Sequence, residues 1–330
     1  KTTYTERYTS RVNLNVFFTD KIQANFSLSG NVQKKNHLMS EIDAMDYAYN
    51  TTRALPCYNE DGSLFYYDKS GYNGLNQWAN KFRYNILNEI DNSGAIADNS
   101  HIAAALDLSW DITNWLKYQF TGGYNYAANN SSVYKTERTY AVADDYRGYD
   151  FNTAEPGSKD FKAALLPFGG VLFTSDALQQ SYNIQNKLLV SKSFNEEHRL
   201  NMLVGIEIRS SKNVNVSNTV WGYVPDRGEQ IMEPTTIEKL EPIGSAKPGD
   251  LGVFQSLYRG GWRKTNKTDN FFSVFATLAY SLKNKYVLNV NMRNDISNRF
   301  GQDINNRFDP TYSFGASWRV SSEPFMENIS

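Results

Sequence analysis

The stretch Phe271-Phe272-Ser273-Val274-Phe275-Ala276-Thr277-Leu278-Ala279-Tyr280-Ser281, followed by Tyr286-Val287-Leu288-Asn289-Val290-Asn291-Met292-Arg293, decides how the chain is read. Counted in twos, Phe272, Val274, Ala276, Leu278 and Tyr280 share one face, while Phe271, Ser273, Phe275, Thr277 and Ala279 share the other. That period is the period of a strand, although the second face is mixed. The next run is cleaner, with Tyr286, Leu288, Val290 and Met292 opposed to Val287, Asn289, Asn291 and Arg293. Leu282-Lys283-Asn284-Lys285 between them is short enough to join two antiparallel strands. A polar excursion over 294–309 then leads to a third strand, 310–320, in which Tyr312, Phe314, Ala316, Trp318 and Val320 face one way and Thr311, Ser313, Gly315, Ser317 and Arg319 the other. One connection is tight and the next is long.

The same pattern runs upstream. Strands are expected at 11–18, 22–32, 101–112, 116–126, 181–192 and 199–209, which with the first three makes nine, each of roughly 8–12 residues, the length that crosses a bilayer at the tilt of a barrel strand. The second strand sets Ile22, Ala24, Phe26, Leu28, Gly30 and Val32 against Gln23, Asn25, Ser27, Ser29 and Asn31, so it lies between two different solvents. Glu207 and Arg209 on one polar face are expensive in a packed core and ordinary in a hydrated lumen. The connections alternate short and long without a break. Three of the long ones, over 33–100, 127–179 and 210–268, fall at one end of the sheet, far beyond ordinary loop length. In the first, Ser40-Glu41-Ile42-Asp43 is read as the cap of a short helix to about Asn50, and Asn59-Glu60-Asp61-Gly62 as a turn. The fold class is therefore all-β: an antiparallel transmembrane β-barrel with short periplasmic turns and long extracellular loops.

Composition agrees with this class. Mean hydropathy is -0.57, and no run of 18 or more apolar residues supplies a spanning helix. Alternating barrel strands average out to such a value. Aromatics make up 14% of the 330 residues, with 22 Tyr, which suits interfacial girdles such as one ending the strand at Tyr124 and Tyr126. The net charge of -1, from 34 basic and 35 acidic residues, gives no electrostatic case for nucleic acid. A single cysteine, Cys57, excludes an intrachain disulfide framework and any cysteine-rich metal site, and is expected to be a small, partly buried loop residue. No basic and apolar leader opens the chain, so an export signal is expected to have been removed or to lie outside this segment.

Three groups of residues resemble a known family. They are Tyr280-Ser281-Leu282-Lys283-Asn284-Lys285-Tyr286-Val287-Leu288-Asn289 with Arg293-Asn294-Asp295-Ile296-Ser297-Asn298-Arg299-Phe300-Gly301; Tyr312-Ser313-Phe314-Gly315-Ala316-Ser317-Trp318-Arg319-Val320-Ser321-Ser322-Glu323-Pro324-Phe325-Met326; and, in the first long loop, Arg53-Ala54-Leu55-Pro56 and Asn88-Glu89-Ile90-Asp91-Asn92. Together they resemble the mid-barrel signature of SusC/RagA-type TonB-dependent outer-membrane transporters, with Ile296-Ser297-Asn298 standing where that family usually shows Gly-Ser-Ser. The resemblance implies about nine strands of a 22-strand barrel, with residues 1–330 part of a single barrel domain and with the plug domain, TonB box, signal peptide and remaining strands outside this segment. The odd strand count points the same way, since a closed single-chain bacterial barrel takes an even number.

What the resemblance implies about function is active import of an oligosaccharide or oligopeptide in the bacterial outer membrane. A SusD-like surface lipoprotein would act as the lid, and the energy would arrive from TonB through the plug. Solute would meet loop aromatics, for which Tyr58, Tyr66, Tyr67, Trp78, Tyr146, Tyr149, Trp221 and Trp262 are the candidates, because flat rings stack on sugars and peptide side chains at little entropy cost. The competing reading is that these rings pack the loops against each other or against the lid. His37, His101 and His198 fall at unrelated places, so no catalytic triad or metal site is assigned and no enzyme is expected. Asp144-Asp145 and Asp91-Asn92-Ser93-Gly94 offer oxygens to Ca²⁺ without EF-hand spacing and are read as solvated turns; no cofactor is expected. Two other readings stay open: a secreted soluble β-rich glycan-binding module or glycan-active enzyme, and a siderophore-type TonB-dependent receptor.

Overall fold

A computed structural model describes residues 3–70, 81–151, 153–164, 166–195, 197–232, 261–300 and 310–326. In chain order these form β1 (Tyr4–Thr19), β2 (Ile22–His37), α1 (Ala44–Asn50), β3 (Tyr67–Ser70), β4 (Lys81–Tyr84), α2 (Ile86–Asp91), β5 (Ser93–Asp111) and β6 (Leu116–Lys135). There follow α3 (Tyr140–Val142), α4 (Lys159–Ala163), β7 (Gly170–Phe194), β8 (His198–Val224), β9 (Gln230–Ile231), β10 (Arg263–Leu282), β11 (Tyr286–Ser297) and β12 (Thr311–Trp318). The nine long strands lie in one antiparallel sheet in the order β1-β2-β5-β6-β7-β8-β10-β11-β12, with β9 appended to β8. β3 and β4 form a separate hairpin inside the first long loop.

The register explains the face. Leu14 pairs with Phe26 and Phe26 with Leu106; Leu188 pairs with Val204, Val204 with Ala276 and Ala276 with Met292. Across the paired lengths, even residues meet even residues, and shifts occur only at the ends, near Phe17 and Gly170. Because side chains alternate with period two, all even positions therefore form one continuous face, and its tight-turn half, with Phe26, Leu106, Leu188, Val204, Leu278 and Leu288, is an apolar band. Among the described residues no second layer covers it: Leu106, Val204, Ile206, Ile208 and Val274 are all exposed. A soluble protein does not leave a sheet-wide apolar surface open to water, whereas a barrel wall gives it to lipid. The buried apolar clusters sit in the loops, not under the sheet.

The odd face is hydrated and charged. Arg293 donates from Nε to both oxygens of Asp295 at 2.9 Å and from Nη2 to Glu207 at 3.2 Å, so Glu207 has the lumen-side partner its position requires. Rings on this face are also accounted for. The Phe275 ring lies against Gly205 on the neighbouring strand, where an added Cβ would sit 2.4 Å from it, and the Arg293 guanidinium covers the ring at 5.5 Å. Phe271 is flanked by Arg209 and Arg299. These cation–π contacts let apolar rings stand on a polar face.

At the tight-turn rim, Lys283 and Asn284 both adopt positive φ, 53° and 55°, so this hairpin turns through the left-handed geometry that matches strand twist. Just beyond, Glu323 accepts from Tyr286 Oη at 2.6 Å and from Trp318 Nε1 at 3.0 Å, and Tyr286 stacks on Trp318. That is the physical content of the tail motif read in the sequence: it pins the segment after β12 to the start of β11. Lys192 lies over Trp115 and Phe194 at the same rim. Toward the other end of the apolar face stand Tyr124, paired with Tyr182, and Tyr126. From Tyr118 to Tyr126 along β6 is about 27 Å, or roughly 20 Å across the sheet normal to a membrane at barrel tilt, close to the apolar band of a barrel.

Several expectations are corrected. The strands are not all 8–12 residues: β7 has 25 and β8 has 27, because both continue past the apolar band into the long-loop rim. Within Ser40-Glu41-Ile42-Asp43 it is Asp43 that caps α1, accepting from the amides of Met45 and Asp46, and the helix ends at Asn50 as expected. Asp91-Asn92-Ser93-Gly94 is not a solvated turn but the end of α2 and the buried start of β5, and Asp145 lies in a π-helical turn, Ala143–Arg147. The turn at Asn59-Glu60-Asp61-Gly62 is present, with Gly62 at φ 82°.

Candidate functional site

The long-loop rim is the candidate site, and two small cores build it. In the first, Met39, Ile42, Tyr84 and Ile86 are buried together, with Cys57, Tyr67 and Tyr140 packed against them. Asn85 organises it. Its side chain caps α2 by accepting from Leu87 N, and donates to the carbonyls of Cys57 at 2.9 Å and Phe65 at 2.7 Å. Asn88 and Glu89, two and three residues on from the helix start at Ile86, then tie this loop to the next. Asn88 donates to the Arg138 carbonyl, and Glu89, 4% exposed, accepts from Tyr140 N at 2.9 Å. The Asn88–Asn92 motif is thus a staple between the first and second loops.

Burial pushes the Glu89 carboxyl above its ordinary value of 4.5, against the pull of its hydrogen bonds and Lys69. The native state therefore holds a proton that the unfolded state releases, so this contribution to loop stability is fullest below pH 4.5 and falls as pH rises through the raised value. Amide exchange at 86–93 and 138–142, corrected for intrinsic rate, is expected to quicken between pH 4.5 and neutrality. Glu89→Gln, which keeps the acceptor and removes the titration, should flatten most of that slope. Asp145, also raised by burial, leaves a residue of the same sign.

The second core joins Val142, Leu166 and Val171, with Tyr146 and Trp221 packed against it. Three glycines let backbones meet at its roots. Gly222 has φ 84°, and a Cβ there would lie 1.7 Å from the Met232 carbonyl oxygen; one at Gly170 would lie 1.8 Å from that of Lys135. Gly169, at φ 73°, abuts Gly222 and donates its N–H to Glu137 at 2.7 Å.

The eight aromatic candidates separate on this framework. Tyr66 donates to Asn88 at 3.2 Å beneath Arg83, and Tyr67 packs on Tyr84 with ring centroids 5.6 Å apart. Tyr146 and Trp221 belong to the second core. Tyr58 and Trp262 are 56% and 64% exposed. Tyr149 faces a cavity with Arg147, a residue the sequence reading did not single out. Trp78 lies outside the described residues. The structure thus spreads the seven described candidates over separate places along the rim.

No family model matches the chain. Over 334 aligned residues it is 22% identical to the TonB-dependent receptor P26 of Formosa agariphila, covering 99% of this chain and 28% of that protein. Among solved structures, it superposes on the RagAB peptide transporter at a TM-score of 0.62 and 14% identity, over 98% of this chain and 31% of the RagAB chain. The "open-open" and "closed-closed" states of the RagAB peptide importer both give 0.64. The chain has the fold of the stretch of the RagAB barrel on which it superposes. It spans under a third of the length of these relatives, and its sheet is correspondingly open, with β1 and β12 each paired on one side among the described residues. The wall belongs to the bacterial outer membrane, with its tight turns periplasmic and its two loop cores on the extracellular rim.

Proposed function

We propose that this barrel segment belongs to an outer-membrane transporter that imports an oligopeptide or oligosaccharide, closed from outside by a SusD-like lipoprotein and energised through TonB and a plug. Residues 1–330 are then part of one barrel domain. The observation that carries this is the rim itself. A pore alone needs strands only as long as the membrane, yet here β7 and β8 run on above it and fold two loop cores stapled by Asn85, Asn88 and Glu89. A rigid, elaborated outer rim is what a lid and a large solute require. The superposition on the RagAB importer supports the same choice. Tyr58, Tyr149 and Trp262, which are not absorbed into either core, become the leading solute or lid contacts of the original eight.

Affinity purification of the whole protein from detergent-solubilised outer membranes is expected to bring down a surface lipoprotein. A strain lacking the gene should lose growth when an oligopeptide or an oligosaccharide is the sole nutrient, and loss of TonB should reproduce the defect. A barrel that purifies alone, from a strain whose null mutant grows normally on both nutrient classes, would contradict the proposal.

A further inference from the structure

Second-loop residues, with Arg227 from beyond β8, line a cavity of about 220 Å³ that includes a buried arginine. Arg147 ends the π-helical turn Ala143–Arg147, is closed off by Gly148 at φ 81°, and is only 3% exposed. Its Nη1 donates to the Glu137 carbonyl at 2.5 Å, which fixes the guanidinium plane. The guanidinium carbon lies over the rings of Tyr149 and Phe151, 5.7 Å from each ring centroid. Nε and Nη2, however, have no hydrogen-bond partner among the described residues, and neither does the hydroxyl of Tyr149. A buried guanidinium with two idle donors is costly, since each lost its water on folding. Nε and Nη2 share one edge of the guanidinium, the edge that takes a carboxylate with two parallel bonds.

The groups around it set the sign. Glu137, on the cavity lining, accepts from Gly169 N–H, and Asp150 accepts from Arg83 Nε at 3.4 Å and from the Arg83 amide at 2.9 Å; both act on Arg147 through space, and neither bonds its Nε–Nη2 edge. Asp160 acts on the Tyr149 hydroxyl only through space. Arg227 stands on the cavity lining as a second cation. The rest of the wall is apolar, with Pro156 beside Phe161 and Phe168, whose rings meet edge to face at 5.2 Å.

We infer that this cavity binds a carboxylate of the imported solute, bidentate on Arg147 Nε and Nη2 and capped by the Tyr149 hydroxyl, with an apolar group of the solute against Phe161 and Phe168. The inference rests on the import proposal for the identity of the ligand, and it names a substrate class: solutes with a carboxylate. Two sources share that chemistry, the C-terminus of a peptide and the carboxylate of a uronic acid sugar.

The test uses the whole transporter in detergent and titrates four probes: a short apolar peptide as free acid, the same peptide as C-terminal amide, a uronate oligosaccharide and its neutral reduced counterpart. One acid form is expected to bind at least about tenfold more tightly than its neutral partner, the size of a charge-assisted pair, and which one does so identifies the source. Arg147→Met should abolish that preference, and unchanged resistance of the second loop to limited proteolysis would show that the variant has folded. Arg147→Lys should restore part of it, and Tyr149→Phe should lower it a few-fold. If neither acid is preferred, or if Arg147→Met leaves the preference intact, the inference is overturned. Uptake by cells separates the two proposals: import that continues without any acid preference defeats the carboxylate site alone, whereas failure to import any probe defeats the transport proposal.

Discussion

Phe26→Arg in the whole protein is expected to destabilise the barrel by about 2–4 kcal/mol, and Ser27→Arg, one position along the same strand, by less than about 1 kcal/mol. The two residues differ only in the side of the wall they occupy. Phe26 sits mid-way along the apolar run of β2, 39% exposed, with Leu14 and Leu106 beside it in the register. An arginine there meets hydrocarbon and must drag water or headgroups to it. Ser27 lies between Asn13 and Ala105 on the lumen side, where a guanidinium stays hydrated. Urea titration of the lipid-embedded protein, followed by tryptophan fluorescence and heat-modifiable mobility, measures the difference. Equal costs at the two positions would mean that the faces have been assigned without physical basis.

Gly222→Ala is expected to leave the wall intact and release the rim. The substitution forces a side chain into left-handed backbone, at about 1–2 kcal/mol, and drives its Cβ onto the Met232 carbonyl, which is itself the acceptor side of a residue whose amide bonds Gly222 O at 2.7 Å. The backbone there has to move, and with it Gly169, which abuts Gly222 and holds Glu137. Limited proteolysis should cut within 136–169 many-fold faster in the variant, while heat-modifiable mobility stays at the wild-type value. Unchanged cleavage would show that the close approach at Gly222 does not hold the second loop.

How much of this was legible follows from where contrast exists. A strand between lipid and a wet lumen must alternate, so Ile22 to Val32 and Leu200 to Ile208 announce both the strand and its two faces, and all nine long strands could be found. Above the membrane both faces meet water. The upper half of β8, with Ser210, Ser211, Lys212, Asn213 and Asn215, carries no apolar rhythm, and its pairing with β7 and β10 rests on backbone hydrogen bonds that composition does not mark. The rim was less legible still. Asn88 and Glu89 stand out in the sequence as part of a motif, but their work depends on Arg138 and Tyr140, some fifty residues away. Arg147 left a faint local signal, a cation set among Tyr146, Tyr149 and Phe151; its burial is decided by Phe161, Phe168 and the Gly169 turn, which no local pattern joins to it.

The alternation of the wall is open to direct measurement. With Cys57 replaced, nitroxide labels placed singly at each position from 23 to 30 in β2 and from 273 to 280 in β10 of the whole protein in lipid report collision with oxygen, which concentrates in hydrocarbon. Oxygen accessibility should rise and fall with period two along both strands, with maxima at even positions such as Phe26, Leu28, Val274 and Leu278. Accessibility without that period, or with its maxima at the odd positions, would contradict a wall that gives its even face to lipid.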